Sequence, residues 1–164
     1  MTESLNQEIQ EYRLQLQKGY LQKAYKGIMS FMSELKTILE RKYPDFISSA
    51  MYFGYMDMTY FAITPPSLKN RNLKIAIVFL HAEGRFEGWL GGVNRKVQAE
   101  FIQYFSQKQL ANYKISQVQP GVDSILETIL VEKPDFDHPE ELKLQIEEKI
   151  MGFVRDVREI LDVI

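Results

Sequence analysis

Leu73-Lys74-Ile75-Ala76-Ile77-Val78-Phe79-Leu80, then His81-Ala82-Glu83-Gly84, then Arg85-Phe86-Glu87-Gly88-Trp89-Leu90, is the stretch that decides the fold. The first run is almost continuously apolar, the pattern of a central strand covered on both faces. The tetrapeptide ending in glycine reads as a hairpin turn, and the second run returns antiparallel to the first. Upstream, Met51-Tyr52-Phe53-Gly54-Tyr55-Met56-Asp57-Met58-Thr59-Tyr60-Phe61-Ala62-Ile63 reads as one long aromatic strand. It ends at Thr64-Pro65-Pro66, because consecutive prolines cannot continue a ladder. The three strands make an antiparallel meander.

Helices flank the meander. Leu5, Ile9, Tyr12 and Leu16 share one helical stripe that ends at Gly19, a natural C-terminal cap. From Tyr20, the positions Leu21, Ala24, Tyr25, Ile28, Met32, Leu35, Ile38 and Leu39 predict a long amphipathic helix that stops before Pro44. After the meander, Gly91-Gly92 is expected to break the third strand, and Asn94 to cap a helix with Val97, Phe101, Tyr104 and Phe105 turned inward. A fourth strand, Ser124 to Val131, lies between Pro120-Gly121 and Lys133-Pro134. Asp137 or His138, ahead of Pro139, opens a last helix whose stripe is Leu142, Ile146, Ile150, Phe153, Val157 and Ile160. Leu144, Met151, Val154, Val163 and Ile164 widen that face, so this helix is expected to pack on the long second helix as well as the sheet, or to join a homodimer. The order is ααβββαβα: an α+β fold with a three-strand meander plus a fourth strand, expected to be a single domain over residues 1–164.

With 45% hydrophobic and 26% charged residues, the chain can bury a substantial core. A formal charge of −2 offers no general attraction for nucleic acid or anionic lipid. A nucleic-acid-binding module would need a basic patch built from Lys69, Arg71 and Lys74, or from Arg95 and Lys96, which the balanced composition does not advertise. There is no cysteine, so disulfides and thiolate chemistry are excluded, and a zinc site would have only His81, His138 and carboxylates to draw on. No metal and no cofactor is expected. The start lacks the basic and apolar regions of a signal peptide, and no apolar run approaches the ~20 residues of a membrane span, so a cytoplasmic, soluble protein is expected.

Asp57 is the leading candidate for a functional group. Within an aromatic strand an ionised carboxylate needs a cation and hydrogen-bond donors, or keeps its proton. Period-two alternation puts Arg85, Glu87 and Trp89 on one strand face. If Asp57 shares that face, Arg85 pairs with Asp57 or Glu87 above Trp89 and Tyr55, either as a site for a small polar ligand or as a structural ion pair. His81 and His138 read as a solvated turn residue and a helix-start residue. Gly91-Gly92 followed by Asn94, Arg95 and Lys96 reads as a strand-to-helix turn that is also a candidate anion site.

The order of elements also contains the core topology of the restriction-endonuclease-like fold. Nucleases of that type resemble one another in an acid near the second core strand and a Glu-x-Lys on the third, where two carboxylates hold a divalent cation. Here the third strand offers Glu87-Gly88-Trp89, Lys74 stands where an acid is wanted, and Asp57 lies on the first strand. The motif is incomplete.

Over nearly the whole chain, Tyr20-Leu21-Gln22-Lys23-Ala24-Tyr25-Lys26-Gly27-Ile28-Met29, Gly54-Tyr55-Met56-Asp57-Met58-Thr59-Tyr60-Phe61, Lys74-Ile75-Ala76-Ile77-Val78-Phe79, Arg85-Phe86-Glu87-Gly88-Trp89-Leu90 with Asn94, and Gly121-Val122-Asp123-Ser124-Ile125 resemble a family of single-domain bacterial proteins of unknown function. The resemblance implies a small cytoplasmic bacterial protein and brings no catalytic residues. The expected function is non-catalytic binding of a small polar ligand or a protein partner. The alternative is a divalent-metal nuclease or phosphodiesterase using Asp57 and Glu87.

Overall fold

In a computed structural model, residues 4–108, 110 and 112–162 are described. The elements run α1 (Leu5–Lys18), α2 (Tyr20–Lys42), β1 (Ile47–Ser48), β2 (Met58–Thr64), α3 (Pro66–Lys69), β3 (Leu73–Leu80), β4 (Arg85–Gly92), α4 (Arg95–Ser106), β5 (Lys114–Ile115), β6 (Ser124–Val131) and α5 (Pro139–Leu161). The fold is α+β in the expected order, with β1, α3 and β5 added; these are too short to leave a periodic signal. The residues fall into two compact units, Met1–Leu35 and Lys36–Ile164.

In the first unit, the Ser4 hydroxyl accepts from the Gln7 amide while the Gln7 side chain accepts from the Ser4 amide, a reciprocal cap that starts α1. Gly19 ends it as expected, at φ 80°, with its amide returned to the Leu16 carbonyl. No residue of α1 is buried, whereas Phe31, Met32 and Leu35 of α2 are.

The second unit is built on a six-stranded sheet in the order β1-β2-β3-β4-β6-β5, with every pairing antiparallel. Alternation along the strands sorts its side chains. Phe61, Ile63, Leu73, Ile75, Ile77, Phe79, Phe86, Leu90 and Leu126 are buried on one face. On that face a Cβ added to Gly88 would stand 2.9 Å from Ile150 Cδ1 of α5, and one added to Gly92 would stand 2.9 Å from the Gln98 amide nitrogen of α4. Both helices come this close because the strand there lacks a side chain. Gly91 and Gly92 therefore do not break the strand. They pair with Lys74 and Leu73 to its end, and Gly92 answers to steric contact with α4.

The sheet also corrects two expectations. β3 is fully covered on one face but only in part on the other, where Val78 is buried, Ala76 and Leu80 are half-buried and Lys74 is exposed. The long aromatic strand is only its second half. β2 begins at Met58, and the segment before it is a loop with Gly54 at φ 76° and Met56 at φ 67°, joined to the sheet by a Tyr52–Tyr60 bridge. α5 meets the end of α2 through polar groups: Lys42 Nζ and the hydroxyl of Tyr43, the residue after the helix, each lie 2.8 Å from a Glu147 carboxylate oxygen. Burial and that bond push the Tyr43 hydroxyl up to about 12, so it stays a donor. Leu144 remains exposed, while Val163 and Ile164 lie outside the described residues.

The two glycines at the end of β4 should respond differently to a methyl group. Gly92→Ala forces backbone of α4 away and should cost about 1–3 kcal/mol in urea unfolding. Gly91→Ala, whose Cβ would lie 3.4 Å from the Asp123 carbonyl, should stay within about 0.5 kcal/mol of the parent. Equal costs would contradict the steric account.

Candidate functional site

Arg85, Glu87 and Trp89 share the open face of β4, as alternation predicts. Arg85 Nε donates to Glu87 Oε2 at 2.7 Å, and Trp89 Nε1 donates to Glu87 Oε1 at 2.8 Å. Glu132 adds a longer contact to Arg85, 3.8 Å from Nη1. Glu87 is 4% exposed, so its charge is compensated where it stands, and each oxygen already holds a donor.

Asp57 does not join them. It is exposed, outside the strand, and its Oδ1 accepts from the Tyr55 amide at 2.9 Å. The Tyr55 and Met58 amides hold its carboxyl below the usual carboxylate range. The positive φ angles at Gly54 and Met56 fold the loop into this arrangement. Tyr55 is 92% exposed in the same loop. The expected Asp57–Arg85 pair is absent among the described residues. Asp57 and Glu87 are not gathered into a metal-binding group either, since no three His, Asp or Glu side chains converge among the described residues.

His81 is not a solvated turn residue. Its Nε2 lies 2.8 Å from Thr59 Oγ1, and Thr59, fully buried, gives its proton to the Phe53 carbonyl at 2.7 Å. Nε2 must then carry the hydrogen. The His81 amide also donates to the Asp57 carbonyl at 3.1 Å, so the loop before β2 is tied to the β3–β4 turn through side chain and backbone alike. A hydroxyl, an imidazole and a carboxylate thus lie close together, but the hydroxyl is buried and already donating, which is a structural use.

The proposed anion group is likewise divided. Asn94 Oδ1 accepts from the Val97 amide at 2.9 Å and caps α4. Arg95 turns toward the segment before β6, where it donates to the Val122 carbonyl and pairs with Asp123 at 3.2 Å. Lys96 is exposed.

What the sequence reading missed is a recess of about 100 Å3 on the open sheet face. Ala62, Ala76 and Gly91 form its floor, Tyr60 and Trp89 stand at its sides, and Lys74 and Asp123 lie at its rim. Ladder pairing builds it: Ala62 faces Ala76, Ala76 faces Trp89, and Lys74 faces Gly91. Tyr60 stacks on Tyr52 with ring centroids 4.9 Å apart. Burial, then Tyr52 and Asp123, pushes the Tyr60 hydroxyl up. Asp123 is occupied by Arg95, whereas Lys74 has no ion-pair partner among the described residues.

The two histidines should give opposite pH dependences. Burial pushes His81 down against a smaller pull from Asp57, so its contribution is complete above about pH 6.5 and is lost as pH falls through its lower folded value. The Asp135 carboxylate, 2.8 Å from Nδ1, raises His138, whose contribution is complete below about pH 6.5 and is lost as pH rises through its higher folded value. Melting temperatures of His81→Gln and His138→Gln between about pH 5 and 8 should lose the acid-side and the alkaline-side slope respectively. Curves parallel to the parent would contradict both assignments. On the sheet face, Arg85→Ala should cost about 1–3 kcal/mol by leaving Glu87 underpaired, and the Arg85→Ala/Glu87→Ala double change should be less than additive. Additive costs in urea unfolding would mean the pair is not coupled.

No curated protein and no solved structure matches the chain. The family model described as Domain of unknown function (DUF7000) matches residues 5–161, from the first residue of α1 to the last of α5, and the chain belongs to that family.

Proposed function

We propose that the chain is a non-catalytic binding module whose open sheet face takes a small acidic molecule with a planar apolar body. The observation that carries this reading is the recess itself, a small-residue floor between Tyr60 and Trp89 with Lys74, which has no ion-pair partner among the described residues, at its rim. Aromatic walls favour a flat apolar group, and a lysine without a carboxylate partner favours an anion. The nearby Asp123 is paired with Arg95 at 3.2 Å, which offsets part of its charge. At about 100 Å3 the recess is well below the ~300–1,000 Å3 of drug-sized pockets, so one ring-sized group enters and the rest of the ligand faces solvent.

A divalent-metal phosphodiesterase has less to support it, since Glu87 has both oxygens engaged and Asp57 faces the amides of its own loop. The setting we infer is a bacterial cytoplasm, on the resemblance of the quoted segments. No helix among the described residues is long and apolar enough to cross a membrane.

Trp89 is the only tryptophan, so the site reports on itself. Titration with small aromatic carboxylates such as benzoate, nicotinate and indole-3-acetate should shift or quench its emission saturably. Lys74→Ala should weaken binding about tenfold, and Ala76→Leu, which fills the floor from the solvent side, should abolish it without lowering the melting temperature. A titration unchanged by Ala76→Leu, or a Trp89 response no greater than that of free tryptophan, would remove the proposal.

A further inference from the structure

Nothing in the proposed ligand site accounts for α1. This helix carries a reciprocal cap at its start and an αL glycine at its end, yet it buries no residue. Leu5 is 68% exposed and Tyr12 57%. A helix of 14 residues is marginal in water without a packing partner. Its apolar positions show what kind of partner it fits.

Leu5, Ile9, Tyr12 and Leu16 recur at spacings of four, three and four, which are alternating d and a positions of heptads. Leu14 is the single apolar residue of α1 off this seam. The flanking e and g positions are Asn6, Glu8, Arg13 and Gln15, all polar, so the seam has the narrow width of a coiled coil. α2 differs. Its equivalent stripe is widened by Ala24 and Phe31, and Phe31, Met32 and Leu35 are buried in the manner of an ordinary core helix.

We propose that α1 pairs with α1 of a second copy of this chain as a short parallel two-stranded coil. The charges favour a second copy in that orientation. Glu8 at g and Arg13 at e are five residues apart, the separation at which parallel strands pair charges across the seam, and two-fold symmetry makes the contact twice. An antiparallel arrangement would set Glu8 against Gln15 and Arg13 against Asn6, with no charge pair gained. Ile9 at a with Leu5 at d is the combination that favours two strands. Two heptads are short of the three or four that sustain an independent coil, so the association is weak and depends on concentration.

Sedimentation of the full chain at sub-millimolar concentration tests this. The parent should show a monomer–dimer equilibrium, and Ile9→Glu should be monomeric with the body's cooperative unfolding unchanged. Glu8→Arg and Arg13→Glu should each weaken dimerisation about tenfold at low salt, and an equimolar mixture of the two should recover it as a heterodimer. A parent that stays monomeric would overturn the proposal and leave the seam to a helix of a different protein. Dimers that survive Ile9→Glu would place the interface elsewhere. Charge variants that dimerise like the parent would overturn the parallel arrangement.

Discussion

The close approach of two helices to one strand governs the second unit. Where β4 has Gly88, Ile150 of α5 reaches the sheet, and where it has Gly92, the first turn of α4 does. A side chain at either place would hold its helix off a face that carries Phe61, Ile75, Ile77, Phe79, Phe86 and Leu90, the largest block of apolar surface in the sheet. Interiors packed at crystal-like density leave little room for such a spacer. With the apolar demand met on that side, the opposite face is free to hold Lys74, Arg85 and Trp89 within reach of water.

That open face is organised by a buried charge. Glu87 receives the Arg85 guanidinium on one oxygen and the Trp89 indole on the other, so the acid that first reads as a site residue acts as a support. Its bond to Nε1 fixes one edge of the indole that borders the recess. A wall held in place before a ligand arrives loses less freedom on binding. The support and the recess are therefore parts of one arrangement, with the Arg85–Glu87 pair holding the Trp89 wall beside the small-residue floor.

The loop before β2 shows another way of holding an irregular segment. Its backbone turns through two positive φ angles, and its amides close on Asp57, while Thr59 and His81 join it to the neighbouring turn. The loop displays Phe53, Tyr55 and Met56 to solvent from a fixed backbone.

Patterns with a short repeat were readable in the sequence. The helices α1, α2, α4 and α5, the caps at Gly19 and Asn94, the proline start at Pro139 and the shared face of Arg85, Glu87 and Trp89 all follow from periods of 3.6 or 2 and from local capping chemistry, which act within a few residues, although Tyr104, expected to turn inward from α4, is exposed. The strand pairings of the meander followed from its turn. The recess did not, because it needs Ala62, Ala76 and Gly91 side by side, and that adjacency is a property of ladder register between separate strands. Nor did the role of Asp57: aromatic residues around it read as a strand, but the φ angles of Gly54 and Met56 made a loop whose amides, and not Arg85, satisfy the acid. Gly91-Gly92 has the composition of a strand breaker, yet the contact with α4 is what requires glycine there. Tertiary structure alone decided these points, since hydrogen-bond register and steric contact join residues that no local pattern connects.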